Sequence, residues 1–267
     1  MKAHYILLGI IATVLAASCA SNTGKWNNLQ IVNVAATASN RNQHQEQTAN
    51  DDGNDTFAVK TSVPYDIKVE MDFLDGETEK NSEACQSINR QLISEFLNQQ
   101  DEDDVNKAVN TFIERLANQM ELEEEIPAMY DYFTGKANFG MSGIVNYVLT
   151  ENYYSGGAHP TSVTTMLRFN TDNGRKIDLE EVFIDTCMTT LTERLTTRLM
   201  RNLGVASLDS LHKLGYLDMI DMFVTDNFML EKDSITFFYN PYDIAPYAVG
   251  TTTIKFSYDE LKDIMHK

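Results

Sequence analysis

The sequence predicts an α+β fold in which helices pack on one face of a largely antiparallel sheet. Some segments alternate apolar with polar residues, a period typical of half-buried strands, and others repeat apolar residues every third or fourth position, which is typical of helices. The order along the chain is strand, helices, strands, helix, strands, and this segregation defines the class. The 267 residues, 43% of them hydrophobic, suffice for one substantial core or two small ones.

Residues 1–18 have the features of a bacterial lipoprotein signal peptide. Lys2 precedes an apolar run that is shorter than the roughly 18 residues needed to cross a bilayer. The run ends in LAASC, which looks like a lipobox in which Cys19 becomes the diacylated first residue. Ala16 departs from the large aliphatic residue usual at its position, and cleavage by ordinary signal peptidase, which leaves Cys19 without lipid, is the alternative.

Residues 19–56 are expected to form a flexible tether between the lipid and the folded part. They are rich in Asn, Gln, Ser, Thr and Ala, and such a segment buries too little apolar surface to offset the entropy of ordering it. Residues 31–34 could pair locally as a short strand. No acidic run like a surface-export signal follows Cys19, so we expect a lipid-anchored protein of the cell envelope that faces the periplasm rather than the cell surface.

The folded domain is expected to span residues 57–267. In its first part, 57–127, an alternating strand pattern over 57–63 and 65–73 precedes two amphipathic helices, whose apolar stripes begin at Cys85 and Val105. An acidic loop at 101–104 precedes the second helix, where the helix dipole favours negative charge.

The second part of the domain, 128–267, returns to strands. Extended patterns over 130–139, 142–154 and 161–170 predict an antiparallel meander. A hairpin signal, Asp172-Asn173-Gly174, then leads into residues 177–183. The remaining predicted elements are a helix with Leu191, Leu195 and Leu199 on one face, helix and loop over 207–230, strands at 235–240 and 251–257, and a short helix at 258–265.

The charge balance limits the partners that the protein can attract. Lys plus Arg number 21 against 39 Asp plus Glu, a formal net charge of -18. The resulting field repels phosphate backbones and anionic lipid surfaces, so nucleic acid is not expected as a partner, whereas a basic protein would be attracted. The same acidity is also an ordinary way for an exported protein to stay soluble.

The segment NYYSGGAHPT, residues 152–161, combines two glycines with a histidine before a proline. Gly156 and Gly157 can adopt positive φ at low cost, and Pro160 drives His159 out of the helical region, so these residues predict a tight connection between two strands. A structural turn is the favoured interpretation, since glycine and proline punctuate turns in general. A ligand-binding role for His159 is the alternative.

A second candidate segment concentrates aromatic residues between the last two predicted strands. Its residues Tyr242, Pro246 and Tyr247 provide apolar rings with polar tips, which suit contact with a protein or a glycan and suit core packing equally well. If this loop lies at the same end of the sheet as the glycine turn, the two together form a small binding surface.

Other chemistries find little support. The remaining histidines, among them His212 and His266, share no spacing suited to a metal, and no cofactor motif is present. No nucleophile elbow occurs, and the acidic residues at 121–125 and at Glu180-Glu181 do not resemble a glycosidase pair. We therefore expect no catalytic residue, no metal and no cofactor. Cys85 and Cys187 could form a disulfide in an exported protein or remain separate buried thiols.

Two segments carry a family resemblance. YYSGGAHPTSVTTMLRFNTDNGRKIDLEEVF and, further along, FFYNPYDIAPYAVGTTTIKFSYDEL resemble the exported bacterial domain of unknown function shared by the ectodomain of a lysozyme-sensing anti-sigma factor and the non-catalytic region of a peptidoglycan deacetylase. The resemblance implies an α+β domain, bacterial export and, in one branch, direct lysozyme binding. It does not imply catalysis by the domain itself.

The sequence thus predicts a non-catalytic binding or sensing module of the bacterial envelope, anchored to the bacterial membrane through a lipid on Cys19. Its expected ligand is a cell-envelope component such as peptidoglycan, or a basic host protein such as lysozyme. The alternative is an envelope enzyme or an accessory protein that acts on peptidoglycan or another glycan.

Overall fold

The computed structural model describes residues 29–40, 64–76, 78–120 and 129–266. The predicted α+β class is confirmed, and the strands of the described residues form two sheets. The strands are β1 (Leu29–Ser39), β2 (Tyr65–Gly76), β3 (Met129–Phe139), β4 (Ile144–Tyr154), β5 (Thr161–Asn170), β6 (Phe228–Leu230), β7 (Ser234–Tyr239) and β8 (Thr252–Ser257). The helices are α1 (Glu79–Phe96), α2 (Val105–Met120), α3 (Leu179–Val182), α4 (Met188–Asn202), α5 (Leu208–Lys213) and α6 (Tyr258–Leu261).

The first sheet has five strands in the order β1-β2-β3-β4-β5. The meander of β3, β4 and β5 is antiparallel, as the sequence predicts. β2 and β3, in contrast, are parallel, because α1 and α2 carry the chain back between them. Both helices pack against the same face of the sheet, where alternate residues of β2 such as Ile67 and Val69 are buried.

β1 corrects the prediction of a tether over residues 19–56. Leu29–Ser39 pairs antiparallel with the whole of β2, and Val34, Ala36 and Ala38 are buried in the first core. Composition favoured a tether because the segment is polar on average, but its small apolar residues recur with period two and fit beneath α2. Residues 41–56 of the predicted tether lie outside the described residues, as do residues 1–28, which include the signal peptide and Cys19.

The second sheet has the order β6-β7-β8 and is antiparallel throughout. The predicted face of α4 is confirmed, since Leu191, Leu195 and Leu199 are all buried in the second core. The chain turns at Gly174 as expected, but after one bridge between Phe169 and Lys176 it forms the short helix α3 rather than a strand.

Asparagine side chains bind the outer edge of β5. The Asn240 amide is bidentate on Thr164, accepting from its N–H at 2.7 Å and donating to its carbonyl at 3.0 Å. The Asn227 amide accepts from the Met166 N–H at 2.6 Å and donates to the Thr164 carbonyl at 2.8 Å. These amides replace a neighbouring strand for the backbone of β5 and attach it to the second sheet.

Asn146 makes an equivalent attachment from β4. Its amide, 1% exposed, donates to the Leu230 carbonyl at 3.0 Å and accepts from the Leu230 N–H at 3.0 Å. The backbone of Gly140 approaches so closely here that an added Cβ would lie 1.9 Å from the Leu230 oxygen. Only glycine therefore fits at this position.

Arg168, in β5, completes the connection between the two sheets. We call Asn146, Arg168, Asn227 and Asn240 together the junction. The guanidinium of Arg168 is 0% exposed. Nε and Nη2 donate to the Ile177 carbonyl at 3.0 and 2.9 Å, and Nη1 donates to the carbonyls of Asp226 and Phe228 at 2.6 and 3.2 Å.

The environment of this guanidinium explains how a buried charge is tolerated. Nη2 reaches Asp226 Oδ1 at 3.1 Å, and the group lies 3.6 Å above the ring of Phe228. Burial lowers the pKa of Arg168, and the charge of Asp226 opposes that effect. The carbonyls and the carboxylate together satisfy the donors of a side chain that would otherwise be costly to bury.

The structure contradicts a disulfide between Cys85 and Cys187. Cys85 packs in the first core and Cys187 in the second, and both are free, buried thiols. Burial raises the pKa of the Cys85 thiol to about 11, which disfavours the reactive thiolate.

We expect Arg168→Ala to lower the free energy of unfolding by about 3–5 kcal/mol, because it leaves the buried carbonyls of Ile177, Asp226 and Phe228 without the donors of this guanidinium. Urea denaturation measures the change. Arg201→Ala, at an exposed position of α4, is the matched control and should alter stability by no more than about 0.5 kcal/mol. Equal effects of the two substitutions would contradict the role given to Arg168.

Asp131 makes stability depend on pH. The residue is 7% exposed, its Oδ1 has no hydrogen-bond partner among the described residues, and burial together with the charge of Glu151 raises its pKa to about 7. Between the ordinary value of 3.8 and about 7 the folded state holds a proton that the unfolded state has lost. The contribution of Asp131 to stability therefore declines as pH rises through this window and is least favourable above it.

We therefore expect Asp131→Asn to be more stable than the natural protein at pH values above 7 and to lose most of that advantage as the pH falls towards the ordinary pKa of the carboxyl. The difference in free energy of unfolding between the two proteins should change by up to a few kcal/mol over this pH range, at about 1.4 kcal/mol per pKa unit. Urea denaturation of both proteins at acidic and alkaline pH measures it, and other carboxyls cancel in the comparison. A pH-independent difference would show that the proton on Asp131 is not linked to folding.

Candidate functional site

The glycine turn and the loop after β7 meet at one end of the molecule. The rings of His159 and Tyr247 stack with centroids 3.7 Å apart and planes 14° from parallel. The Tyr242 hydroxyl lies 3.3 Å from His159 Nε2, and the Tyr247 hydroxyl donates to the Pro160 carbonyl at 3.0 Å. We call His159, Tyr242 and Tyr247 the aromatic cluster.

The turn depends on the backbone freedom of its glycines. Gly156 and Gly157 have φ of 94° and 107°, in the region that side chains rarely adopt. A Cβ on Gly157 would meet nothing within 4 Å, so the requirement there is conformational rather than spatial. The Tyr154 hydroxyl donates to the Gly157 carbonyl at 3.0 Å and thereby ties the turn to the end of β4.

The loop that carries the tyrosines is fixed at its base. Ile244 is 1% exposed, and its carbonyl accepts from the Leu217 N–H at 2.9 Å. Asn240, which starts the loop, is the residue that binds β5 at Thr164. The junction therefore places the loop beside the glycine turn, and Pro246 remains exposed on it.

Tyr242 has an unusual backbone for its side chain. Its φ is 75°, although bulky residues are genuine outliers in this region, and its side chain is nevertheless 64% exposed. The Tyr242 N–H donates to the Ala245 carbonyl at 2.9 Å, which holds this conformation. An exposed ring held on a strained backbone is typical of a functional position.

A second group of tyrosines lies on the open face of the first sheet. Tyr130 stacks on Tyr132 with ring centroids 4.9 Å apart and on Tyr154 at 6.2 Å. We call these residues the tyrosine row. Lys68 lies 4.6 Å above the ring of Tyr132, whose hydroxyl donates to Asp66 at 2.9 Å. Through Tyr154 the row is bonded to the turn that carries His159.

Tyr130 and Tyr132 were not among the site residues predicted from the sequence. The available signal was their spacing of two within a strand whose buried positions are Met129, Asp131 and Phe133. That spacing places both tyrosines on the face away from the helices.

The hydrogen-bond partners of His159 are polar and uncharged. His159 is exposed, and its ring nitrogens lie near the Pro160 carbonyl at 2.9 Å and the Tyr242 hydroxyl, with neither a carboxylate nor a nucleophile among these partners. Within the described ranges, no group of three His, Cys, Asp or Glu side chains is arranged to hold a metal ion. No helix in those ranges is both long and apolar enough to cross a membrane.

Glu180 and Glu181, the acidic residues weighed from the sequence that the structure describes, both make structural contacts. Glu181 pairs with Arg175 at 2.8 Å, and the Glu180 carbonyl lies 3.1 Å from His266 Nε2. His212 lies in α5, and residues 121–125 lie outside the described residues.

Part of the chain matches a known protein family. Residues 180–259 match the family described as "Protein of unknown function (DUF3298)", which confirms the predicted resemblance to a domain of unknown function. The glycine turn precedes the matched segment, whereas the loop carrying Tyr242 and Tyr247 lies within it. None of the curated proteins matches this sequence.

The fold is shared with solved bacterial structures. A DUF3298 family member from Bacteroides fragilis NCTC 9343 has a TM-score of 0.72 at 21% identity, covering 90% of this chain and 95% of that one. A DUF3298 family protein from Pseudomonas aeruginosa PAO1 has a TM-score of 0.61 at 13% identity, covering 89% and 94%. The similarity therefore extends over both sheets rather than over the matched segment alone.

We expect Tyr242→Gly to raise the free energy of unfolding by up to about 1 kcal/mol, because glycine adopts the positive φ without strain. Thermal or urea denaturation measures the change. Tyr247→Gly removes the same side chain in the same loop from a residue without positive φ and should destabilise the fold. If both substitutions destabilise equally, the backbone of Tyr242 is not strained.

Proposed function

We propose that this chain, part of which matches a family of unknown function, is a non-catalytic binding or sensing module of the bacterial envelope. In this proposal Cys19 carries a lipid anchor, and the folded domain presents the aromatic cluster to a ligand protein. The observation that carries the proposal is the stack of His159 on Tyr247, which is exposed yet held by hydrogen bonds on both sides of the contact.

The composition of the surface supports a protein ligand. Tyrosine is enriched where proteins bind one another, because its ring contributes apolar area and its hydroxyl a hydrogen bond at a small cost in side-chain entropy. The aromatic cluster and the tyrosine row supply several such rings, linked by the bond from Tyr154 to Gly157. Rigid backbones position them, so little order must be gained on binding.

The charge of the molecule supports a basic ligand. A net charge of -18 attracts cationic proteins and accelerates their encounter, an effect that salt weakens. Lysozyme is the candidate of this class that the family resemblance suggests. The field repels polyanions for the same reason.

The test is calorimetric titration of lysozyme into the purified chain at low ionic strength. We expect saturable binding that weakens as salt is added, and we expect His159→Ala and Tyr247→Ala each to lower the affinity at least tenfold, or about 1.4 kcal/mol. Met219→Ala is the control, because that side chain is 97% exposed but lies outside both tyrosine groups, and it should leave affinity unchanged.

Three outcomes would contradict this proposal. Absence of binding at low salt, or equal affinity for the natural protein and the His159→Ala variant, removes lysozyme or the aromatic cluster from the account. Turnover of muropeptides by the purified chain that is lost in a folded His159→Ala variant would establish the enzymatic alternative instead.

A further inference from the structure

A cavity lies at the end of β4 and β5 opposite to the aromatic cluster. Ile144 and Asn170 line it, whereas the other ends of these strands, Tyr154 and Thr161, flank the glycine turn. The 11 residues of β4 separate the two ends by about 33 Å, at about 3.3 Å per residue. The cavity has a volume of about 350 Å³, within the range of small-molecule sites.

The inner wall of the cavity is apolar. Ile144, Val182 and Leu230 are buried residues that extend the second core, and Met141 and Met265 contribute flexible thioether side chains. These residues come from distant parts of the sequence, brought together where Met141 donates its N–H to the Leu230 carbonyl at 3.2 Å. Such a wall suits the hydrocarbon part of a ligand.

The rim is rich in hydrogen-bond donors. The side-chain oxygens of Asn170 and Asn173 accept backbone bonds within the turn, which leaves their NH₂ groups without partners in the described part of the chain. Lys176 Nζ lies 3.7 Å from Glu95 and 3.9 Å from Asp178, too far for full hydrogen bonds. Arg175 uses one guanidinium N–H on Glu181 and has further donors available.

Two cations and several carboxylates meet at this rim. Arg175 and Lys176 line the cavity together with Glu181, and Lys176 also lies within 4 Å of Glu95 and Asp178. Arg175 pairs with Glu181 alone among the described residues, so it is the cation with donors left for a ligand. The nearby carboxylates would repel a group that carries more than one negative charge.

We infer that this cavity binds a small organic monocarboxylate, with its carboxylate at Arg175 and the amides of Asn170 and Asn173 and its hydrocarbon part against Ile144, Val182 and Leu230. Arginine forks and amide donors are the groups that recognise carboxylates in proteins. The site uses the segment DNGRKIDLEEVF, which the aromatic cluster leaves without a ligand role. It is separate from the proposed protein-binding surface.

The experiment uses 4-phenylbutyrate as the probe and methyl-labelled methionine as the reporter. In titrations of the purified full chain, we expect saturable shifts of the Met141 and Met265 methyl resonances and no shift of Met219, which is exposed elsewhere. The neutral isostere 4-phenylbutanamide should bind at least tenfold more weakly, because it lacks the charge-assisted hydrogen bonds. Phenyl phosphate, whose group carries more charge, should also bind more weakly.

Substitutions locate the carboxylate. Arg175→Gln should lower affinity for 4-phenylbutyrate about tenfold, and Lys176→Gln gives a second variant should the first disturb the turn. Arg201→Gln removes the same charge from an exposed position of α4 and should leave affinity unchanged. Absence of shifts at Met141 and Met265, equal binding of the amide, or affinity unchanged in both Arg175→Gln and Lys176→Gln would overturn the inference, while lysozyme binding is measured independently at the aromatic cluster.

Discussion

The structure depends on the satisfaction of polar groups at the boundary between its two sheets. On its outer edge, opposite β4, β5 has no neighbouring strand among the described residues, and its backbone at Thr164 and Met166 is instead bonded by Asn227 and Asn240. The adjacent guanidinium of Arg168 is fully buried, so each of its donors must find an acceptor or the interior carries an uncompensated charge. The segments that supply these acceptors are thereby fixed in position, and the junction lies between the two cores.

The positions of both candidate binding sites follow from the junction. Asn240 is at once the residue that binds β5 and the first residue of the loop that carries Tyr242 and Tyr247, so the aromatic cluster forms where the sheets are joined. At the other end of the same strands, the bond from Asn146 to Leu230 closes the wall of the cavity. Rigid strands with functional loops at their ends are a common way to combine stability with binding.

Local periodicity was sufficient to predict much of the fold. The alternation in β2, the stripe of α4 and the bounds of β5 follow from apolar spacing, and the turn chemistry of Gly156 and Gly157 indicated the connection before it. Pairing across long sequence distances was not predictable in the same way. The parallel neighbours β2 and β3 and the role of Arg168 depend on partners far along the chain, although a lone cation within the run MLRF was a signal for the latter.

We infer that side-chain hydrogen bonds between the sheets hold the aromatic cluster together, and the chemical shifts of the His159 ring protons report on this dependence. In the natural protein, stacking on Tyr247 at 3.7 Å should shift these protons upfield through the ring current. In Asn240→Ala, which removes both bonds to Thr164, we expect the shift to move towards its value in an unstructured peptide while the first core stays folded. An unchanged upfield shift in that variant would show that the cluster forms without the junction.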